Sequence, residues 1–167
     1  MYRKWDKGLD FQTEYNRLRG LITNPPKKFI RLDKQVKLAI LFIQLRNGGR
    51  LHEAIYAYNE FSRGRQREVQ VKVEKRKDPY LRMFIIPPEI REGMPEFVQQ
   101  GSNLSHFAEY HLGYNPHSLR YAFITYLGKK GVSPQVLSKI TGHKTLSMIM
   151  DYTQEQAGAD ILRDIAG

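Results

Sequence analysis

The run VKLAILFIQL, at positions 36–45, constrains the fold of this chain more than any other stretch. Only Lys37 and Gln44 interrupt its apolar side chains. That density predicts a helix buried on most of its sides, because a helix exposed on one face would show polar residues there. The run is too short and too interrupted to span a bilayer. The sequence therefore predicts a helix enclosed by the other elements of a packed domain.

Capping residues and helix breakers divide the rest of the chain into further helices. Asp33 is a candidate N-cap for the buried helix, and the sequence NGG at 47–49 ends it. Asn115 caps the clearest helix, with Pro116 as its first helical residue and Gly131 at its end. We further expect helices at 11–22, 50–61, 87–101 with a break near Gly93–Pro95, 102–113, 133–142 with Ser133 as its cap, and 155–167.

The hydrophobic period changes from helical to alternating between positions 68 and 87. Val69, Val71 and Val73 alternate with polar residues, KDPY has the composition of a turn, and LRMFIIP is a second β-rich run. These features predict a β-hairpin with strands near 68–75 and 81–87. The expected fold is therefore α+β, mostly helical, with one small antiparallel sheet.

Charge and composition limit the chemical class of the binding partner. The 167 residues carry 27 Lys+Arg against 17 Asp+Glu, a formal net charge of +10, and there is no cysteine. The excess of positive charge favours a polyanionic partner such as nucleic acid. Without cysteine, disulfides, thiolate metal sites and cysteine nucleophiles are excluded. No signal peptide is recognisable, so we expect one soluble, cytoplasmic domain that does not interact with a membrane.

Two arginines lie at predicted helix starts, where free N–H groups and the helix dipole favour anions. His117 and Arg120 are three residues apart in NPHSLR and project from one helix face, which suits a phosphate pocket. Arg50 follows NGG, with Glu53 three residues later. The alternatives are a surface pair near a cap for the first motif and an ordinary exposed ion pair for the second.

The predicted hairpin end is strongly cationic. Lys72, Lys75, Arg76 and Lys77 lie within KVEKRKDPY. Such a tip can reach into a DNA groove or bring an ammonium group to a leaving oxygen. The alternative is a solvated charge cluster that protects a strand edge.

The stretch GHKTLSMIMDYT places His143 nine residues before Tyr152. In one unbroken helix these side chains would be separated by roughly 13 Å of rise and half a turn, so they could not meet. A shared site therefore requires a bend between them. A reactive tyrosine also needs nearby cations or a base, because its free pKa is about 10.

No sequence motif for a metal site, a phosphate-binding P-loop or a serine nucleophile is recognisable. If this chain cleaves phosphodiesters, we expect it to do so without a divalent metal. Arginines would then provide the positive charge that stabilises the transition state.

Taken in order, GGRLHEA, VKVEKRKDPYLRMFIIP, HSLR and TGHKTLSMIMDYT resemble the motifs of the tyrosine recombinases, the phage integrase family. The resemblance covers roughly residues 30–155 and implies the fold of that family's catalytic core. It implies that Tyr152 attacks a DNA phosphodiester and forms a 3′-phosphotyrosyl link, with no cofactor. Family members assemble as oligomers on double-stranded DNA, and some donate the tyrosine to a neighbouring subunit.

The resemblance also implies a role for each remaining candidate. The Arg50 and Arg120 guanidinium groups would bind the non-bridging oxygens, with Glu53 orienting its neighbours. His117 would assist proton transfer and His143 would hydrogen-bond the phosphate. A hairpin lysine would protonate the leaving 5′-oxygen; its position after VKVE favours Lys75, with Lys77 as the second choice.

This chain departs from the family pattern in two respects. Gly49 lies where the family usually has leucine before the first arginine. No room is left for the helical domain that normally clamps the other face of the DNA. We therefore expect a single catalytic domain over 1–167, either cut from a longer chain or a minimal relative that binds DNA weakly alone. It divides into a lead-in segment (1–29), a core (30–155) and a tail (156–167). In the tail, Ile161, Leu162 and Ile165 would pack on a neighbouring subunit or on their own core.

Three functions fit these residues. The first is a site-specific DNA recombinase or integrase. The second is a nicking–closing activity like that of type IB topoisomerases, since the same residues serve both reactions and only the joining of two sites separates them. The third is a basic DNA-binding module that keeps the fold without turnover, which gives no reason to retain Tyr152 at this spacing.

Overall fold

The computed structural model describes residues 8–73, 77–78, 80–143 and 162–166. Its helices and strands confirm a mostly helical α+β fold with one small antiparallel sheet. In chain order the elements are α1 (Phe11–Thr23), a 3-10 turn (Lys27–Phe29), α2 (Leu32–Asn47), α3 (Leu51–Gly64), β1 (Glu68–Lys72), β2 (Leu81–Ile85), α4 (Gly101–His111), α5 (His117–Lys129) and α6 (Pro134–Thr141).

Helix α2 is the buried helix that the apolar run predicts. Leu38 through Ile43 and Leu45 are fully buried, and α2 packs against α1, α3, α5 and β2. Gly48 ends the helix in the left-handed conformation, at φ 62°. A Cβ there would lie 2.1 Å from the ring of Phe123, so the chain can turn this close to α5 only without a side chain. The central helix thus ends at a fixed point against α5.

The two strands form an antiparallel hairpin whose inner face joins the core. Glu68 pairs with Ile85 and Lys72 pairs with Leu81. Burial alternates along both strands, so Val69 and Val71 face inward from β1 while Arg82 and Phe84 face inward from β2. The predicted strands are confirmed, although each is shorter than expected within the described residues.

The predicted helix at 87–101 is wrong for 87–100, which contain no helix. The segment instead crosses α3, whose side chains bind its backbone: the Tyr58 hydroxyl donates to the Pro95 carbonyl (2.7 Å), and the Asn59 amide bonds to both backbone groups of Phe97. These bonds replace the ones a helix would have supplied. Pro87, Pro88 and Pro95 also disfavour a helix.

Two helix starts differ from the expectation, α2 by two residues and α5 by one. Helix α2 begins at Leu32 after Arg31, so Asp33 lies in the first turn and bonds Arg31 rather than capping the helix. Helix α5 begins at His117, because Pro116 holds the N-cap position; the Asn115 side chain still accepts from the His117 N–H. The predicted cap at Ser133 is confirmed by its bond from Val136.

The tail is described only at 162–166, which is helical. Leu162 and Ile165 are both largely exposed there. Ile161 lies outside the described residues. Among the helices of the described ranges, none is long and apolar enough to cross a membrane.

Gly49 occupies the position where the family usually has leucine, and it packs directly against the Phe84 ring. A Cβ at Gly49 would lie 2.3 Å from the Phe84 ring. The close approach of the α2–α3 turn to β2 therefore requires glycine, which explains the departure from the family pattern in this chain.

We predict that Gly49→Ala lowers the free energy of unfolding by about 1–3 kcal/mol, because overpacking displaces Phe84 or the backbone. The matched control is Gly20→Ala in α1, where a Cβ meets nothing within 4 Å. This control should raise the free energy of unfolding by about 0.5–1 kcal/mol, because alanine is the better helix former. Urea unfolding measures both changes, and an unchanged midpoint for Gly49→Ala would contradict the packing described.

Candidate active site

Two helix C-termini meet beneath a buried arginine. Helix α2 ends at Asn47 and Gly48, and helix α6 ends at Thr141. The Arg120 Nη1 group donates to the Gly48 carbonyl (2.9 Å) and to the Thr141 carbonyl (3.3 Å). Helix C-termini carry partial negative charge, so a guanidinium is stabilised there. Arg120 is thereby fixed by backbone groups from two elements distant in sequence.

Arg120 is only 2% exposed, which makes it an unusual position for a charge. Burial lowers the pKa of Arg120 to about 9, and the nearby Arg50 charge acts in the same direction. At neutral pH the guanidinium is still protonated. A buried, protonated arginine with other cations around it is electrostatically prepared to accept an anion.

His143 follows the α6 C-cap and contacts Arg120 directly. Gly142 has φ 76°, which reverses the chain after Thr141 and places the imidazole beside the guanidinium. Arg120 Nη2 lies 3.1 Å from Nε2 and 3.2 Å from Nδ1 of His143. The Thr141 hydroxyl lies 2.6 Å from Nδ1 and donates to the Leu137 carbonyl at 2.8 Å. Since that hydroxyl has one proton, we assign Nδ1 as the donor and Nε2 as the acceptor from Arg120.

The environment keeps the His143 imidazole neutral. Burial lowers its pKa to about 3, and the charges of Arg120, Arg50 and Arg82 add to the effect. A charged imidazole would face the cations of Arg120, Arg50 and Arg82, and no carboxylate among the described residues contacts it. At neutral pH His143 therefore acts as a neutral hydrogen-bonding group.

Arg50 and Glu53 form a largely buried pair at the start of α3. The Glu53 carboxylate accepts from the Arg50 backbone N–H (3.1 Å) and lies 3.3 Å from its Nη1. The side chains are 18% and 1% exposed, so this is not the exposed surface pair that was the alternative expectation. Glu53 thus holds both the backbone and the guanidinium of Arg50, which leaves part of Arg50 facing solvent.

His117 is exposed at the first position of α5, one turn before Arg120. Its charge contributes to the lowered pKa of His143, which places it at the same site. Its ring makes an edge contact with Tyr121 at 5.2 Å between centroids. The structure therefore brings together Arg50, Glu53, His117, Arg120 and His143, although 93 positions separate the first from the last.

The hairpin approaches this cluster at Val73. A Cβ on Gly142 would lie 2.6 Å from a methyl group of Val73, so the strand end packs on the turn before His143. Lys72 and Lys77 are exposed. Lys75, Arg76 and Tyr152, which the sequence predicts as leaving-group acid, DNA contact and nucleophile, lie outside the described residues.

Arg82 is a third arginine of the site, and sequence reasoning missed it. It is 4% exposed and bonds the carbonyls of Asn47, Gly48 (3.5 Å) and Thr141 (3.2 Å). Its Nη1 also lies 3.7 Å from Glu53. Strand alternation could have found it, because Arg82 has the same parity as the inward Phe84. The apolar outward residues Leu81, Met83 and Ile85 concealed that signal.

Within the described ranges, no three His, Cys, Asp or Glu side chains are grouped closely enough to hold a metal ion.

Comparisons with known proteins show the family of this chain. The sequence profile of the phage integrase family matches residues 96–158, a range that includes His117, Arg120, His143 and Tyr152. The protein named "Putative integrase ORF241", of Acidianus two-tailed virus, is 34% identical over 176 residues, covering 97% of this chain and 69% of that protein. The uncharacterized protein MJ0770 of Methanocaldococcus jannaschii is 31% identical, covering 96% of this chain and 88% of that protein.

Solved structures share the fold. The catalytic domain of bacteriophage HP1 integrase gives a TM-score of 0.54 at 22% identity, covering 86% of this chain and 84% of that one. The Tn1549 transposon integrase in complex with transposon right end DNA gives 0.53 at 17% identity, covering 90% of this chain and 64% of that one. The chain belongs to the phage integrase family, the tyrosine recombinases, and is thus a protein of DNA recombination and integration.

We predict that His143 makes stability depend on pH below neutrality. Its pKa is lowered in the folded state, so between about pH 3 and 6.5 the unfolded chain binds more protons and stability falls as pH falls. Going from pH 7 to 4.5 should cost wild type about 1–2 kcal/mol more than His143→Gln. Urea unfolding at both pH values measures the difference; equal losses would contradict the assigned neutral imidazole.

Proposed function

We propose that this protein breaks and rejoins DNA strands through a covalent 3′-phosphotyrosyl intermediate. The observation that supports this most is the convergence of Arg50, Arg120 and His143 at one site. Their guanidinium and imidazole groups are buried or half-buried, and only Glu53 among the described neighbours of Arg120 carries opposing charge. An anion such as a phosphodiester would relieve the resulting repulsion.

The two arginines would bind the non-bridging oxygens of one phosphodiester. Arg50 can present a planar fork of donors to two oxygens, and Arg120 can offer its Nη2 group, which contacts the His143 ring while Nη1 is bonded to backbone carbonyls. Negative charge grows on those oxygens as the phosphorus becomes five-coordinate, so donors fixed in advance stabilise the transition state more than the ground state. The backbone contacts of Arg120 supply that fixation.

His143 would bind the same phosphate after a change of tautomer. Exchange with solvent can move the ring proton from Nδ1 to Nε2, and the Thr141 hydroxyl can then turn from the Leu137 carbonyl to donate to Nδ1. The neutral imidazole can then donate from Nε2 to a phosphate oxygen. The 2.6 Å contact between Thr141 and His143 supports this exchange.

The chemical step would use residues beyond the arginine pair. The Tyr152 oxygen would form a bond to phosphorus while the bond from phosphorus to the 5′-oxygen breaks. His117 would accept the tyrosine proton, and Lys75 would give a proton to the leaving 5′-oxygen. Attack by a 5′-hydroxyl on the phosphotyrosine reverses these transfers, so the bond energy is conserved and no nucleotide cofactor is needed. Lys77 is the second candidate for the acid.

Double-stranded DNA is the proposed partner, bound by an oligomer. The net charge of +10 and the exposed Lys72 and Lys77 favour phosphate contacts, with Arg76 as a further proposed contact. The Tn1549 integrase that shares the fold is described in complex with its DNA. Exchange of strands between two DNA sites needs more than one nucleophile, so we propose a dimer or tetramer on DNA.

We predict that the protein forms a covalent adduct with nicked DNA in EDTA. The probe is a pool of nicked duplexes with randomised sequence, whose short 5′-hydroxyl fragment diffuses away after cleavage and traps the intermediate. A denaturing gel should show a shifted band, and mass spectrometry should locate the DNA on Tyr152. Tyr152→Phe should bind the pool but form no adduct. The matched control Tyr110→Phe, at an 85% exposed tyrosine, should react like wild type.

The outcomes separate the candidate functions. No adduct in the presence of salt-sensitive binding would contradict the proposal and favour a DNA-binding module. An adduct on another residue would remove Tyr152 from its role. Relaxation of a supercoiled plasmid without joining of two captured sites would favour the nicking–closing activity.

A further inference from the structure

The Arg82 guanidinium donates hydrogen bonds to the same backbone carbonyls as Arg120. Arg82 and Arg120 each donate through Nη1 to the carbonyls of Gly48 and Thr141. Arg82 adds a bond from Nη2 to the Asn47 carbonyl. Two forked cations thus share the C-termini of α2 and α6. The distance between these helix ends is fixed from both sides.

Each shared carbonyl lies just before a proposed phosphate-binding residue. Gly48 precedes Arg50 by two positions, and Thr141 precedes His143 by two positions. Arg82 comes from β2, whose partner strand leads through Val73 to the proposed acid, Lys75. A single side chain of β2 therefore links the C-terminus of α2, which precedes Arg50, to the C-terminus of α6, which precedes His143.

Hydrogen bonding of the α2 and α6 end carbonyls accounts for only part of the placement of Arg82. A buried charge is expensive, and an apolar residue of similar volume is often neutral or stabilising in its place. Burial lowers the pKa of Arg82 to about 10. Its Nε–H finds no acceptor among the described residues, and its guanidinium carbon lies 4.5 Å from the centroid of the Phe84 ring. A buried arginine with an unbonded Nε–H therefore suggests a functional role.

The charges around Arg82 suggest that reason. Glu53 lies between Arg50 and Arg82, at 3.3 Å and 3.7 Å. Each helix C-terminus adds roughly half a negative charge. Arg82 compensates these negative groups in part, so Arg50 and Arg120 keep free donors for an anion instead of being fully used by the protein.

We propose that Arg82 is a positioning residue for the phosphate site, which holds the segments of Arg50, His143 and Arg120 at the spacing that strand cleavage needs. Both Nη groups of Arg82 are bonded to backbone carbonyls, whereas the Arg120 Nη2 group contacts the His143 side chain, so we assign the phosphate contact to Arg120 and not to Arg82. This inference rests on the proposed DNA cleavage, and it assigns to Arg82 an effect on the rate of cleavage but not on the affinity for DNA.

The test compares three variants on one nicked duplex, the one that wild type captures most efficiently from the randomised pool. Arg82→Met removes the charge at similar length, and Arg82→Lys keeps the charge without the fork. The matched control is Arg67→Met. Arg67 also bonds two carbonyls, those of Pro87 and Ile90, and lies over a phenylalanine ring, but it is at the opposite end of the hairpin from the site. Single-turnover adduct formation and DNA affinity are measured for each.

We expect Arg82→Met to form the adduct about a hundredfold more slowly at saturating DNA, as misplacement of a fixed site does. Its dissociation constant for DNA should change less than about threefold, since no phosphate contact is lost. Arg82→Lys should recover about tenfold of the rate, because it restores one bond and the charge. Arg67→Met should cleave like wild type even if its thermal midpoint falls.

Three outcomes would overturn the proposal. The first is Arg82→Met cleaving at the rate of Arg67→Met. The second is a loss that appears wholly in DNA affinity, which would make Arg82 a DNA contact. If Arg82→Met does not fold, Arg82→Lys provides the test instead. The third outcome is then a wild-type cleavage rate in Arg82→Lys, which would show that the charge matters without the forked geometry. Absence of any adduct with wild type would instead reject the proposed cleavage itself.

Discussion

The site depends on one interaction, the capture of two helix C-termini by buried arginine side chains. The last carbonyls of α2 and α6 have no intrahelical partners, and in an apolar core they must be bonded elsewhere. Arg120 supplies those bonds while it remains part of the site, and Arg82 supplies more from the hairpin. The contacts that satisfy the carbonyls of the helix ends are therefore the same contacts that hold the cations of the candidate site in place. This is why a group of cations can persist in the interior.

The surrounding fold makes those helix ends rigid. Helix α2 is enclosed by α1, α3, α5 and β2, so its C-terminus cannot shift without repacking the core. Gly48 and Gly49 bring that terminus against Phe123 and Phe84 with no room for a Cβ. Gly142 does the same for α6 against Val73. Close backbone approach at three glycines thus sets the positions of Arg50, Arg120 and His143.

Much of this could be predicted from the sequence, because periodicity and caps are local signals. The buried helix, the hairpin, the cap at Ser133 and the family follow from patterns a few residues long. The non-helical conformation of residues 87–100 was missed because Tyr58 and Asn59 of α3 bond the backbone of this segment, which no local pattern reveals. Arg82 was missed because its acceptors lie 34 to 59 positions away, so its inward orientation becomes meaningful only after folding.

We propose that Arg120 binds the phosphate that is cut, and a double-mutant cycle measures this contact directly. Single-turnover cleavage is measured for wild type and Arg120→Ala, each on the captured duplex with a phosphate or a neutral methylphosphonate at the cut position. We predict a coupling of about 2–3 kcal/mol, because removing the charge of the phosphate matters little once Arg120 is gone. Independent effects, with the two losses simply multiplying, would contradict it.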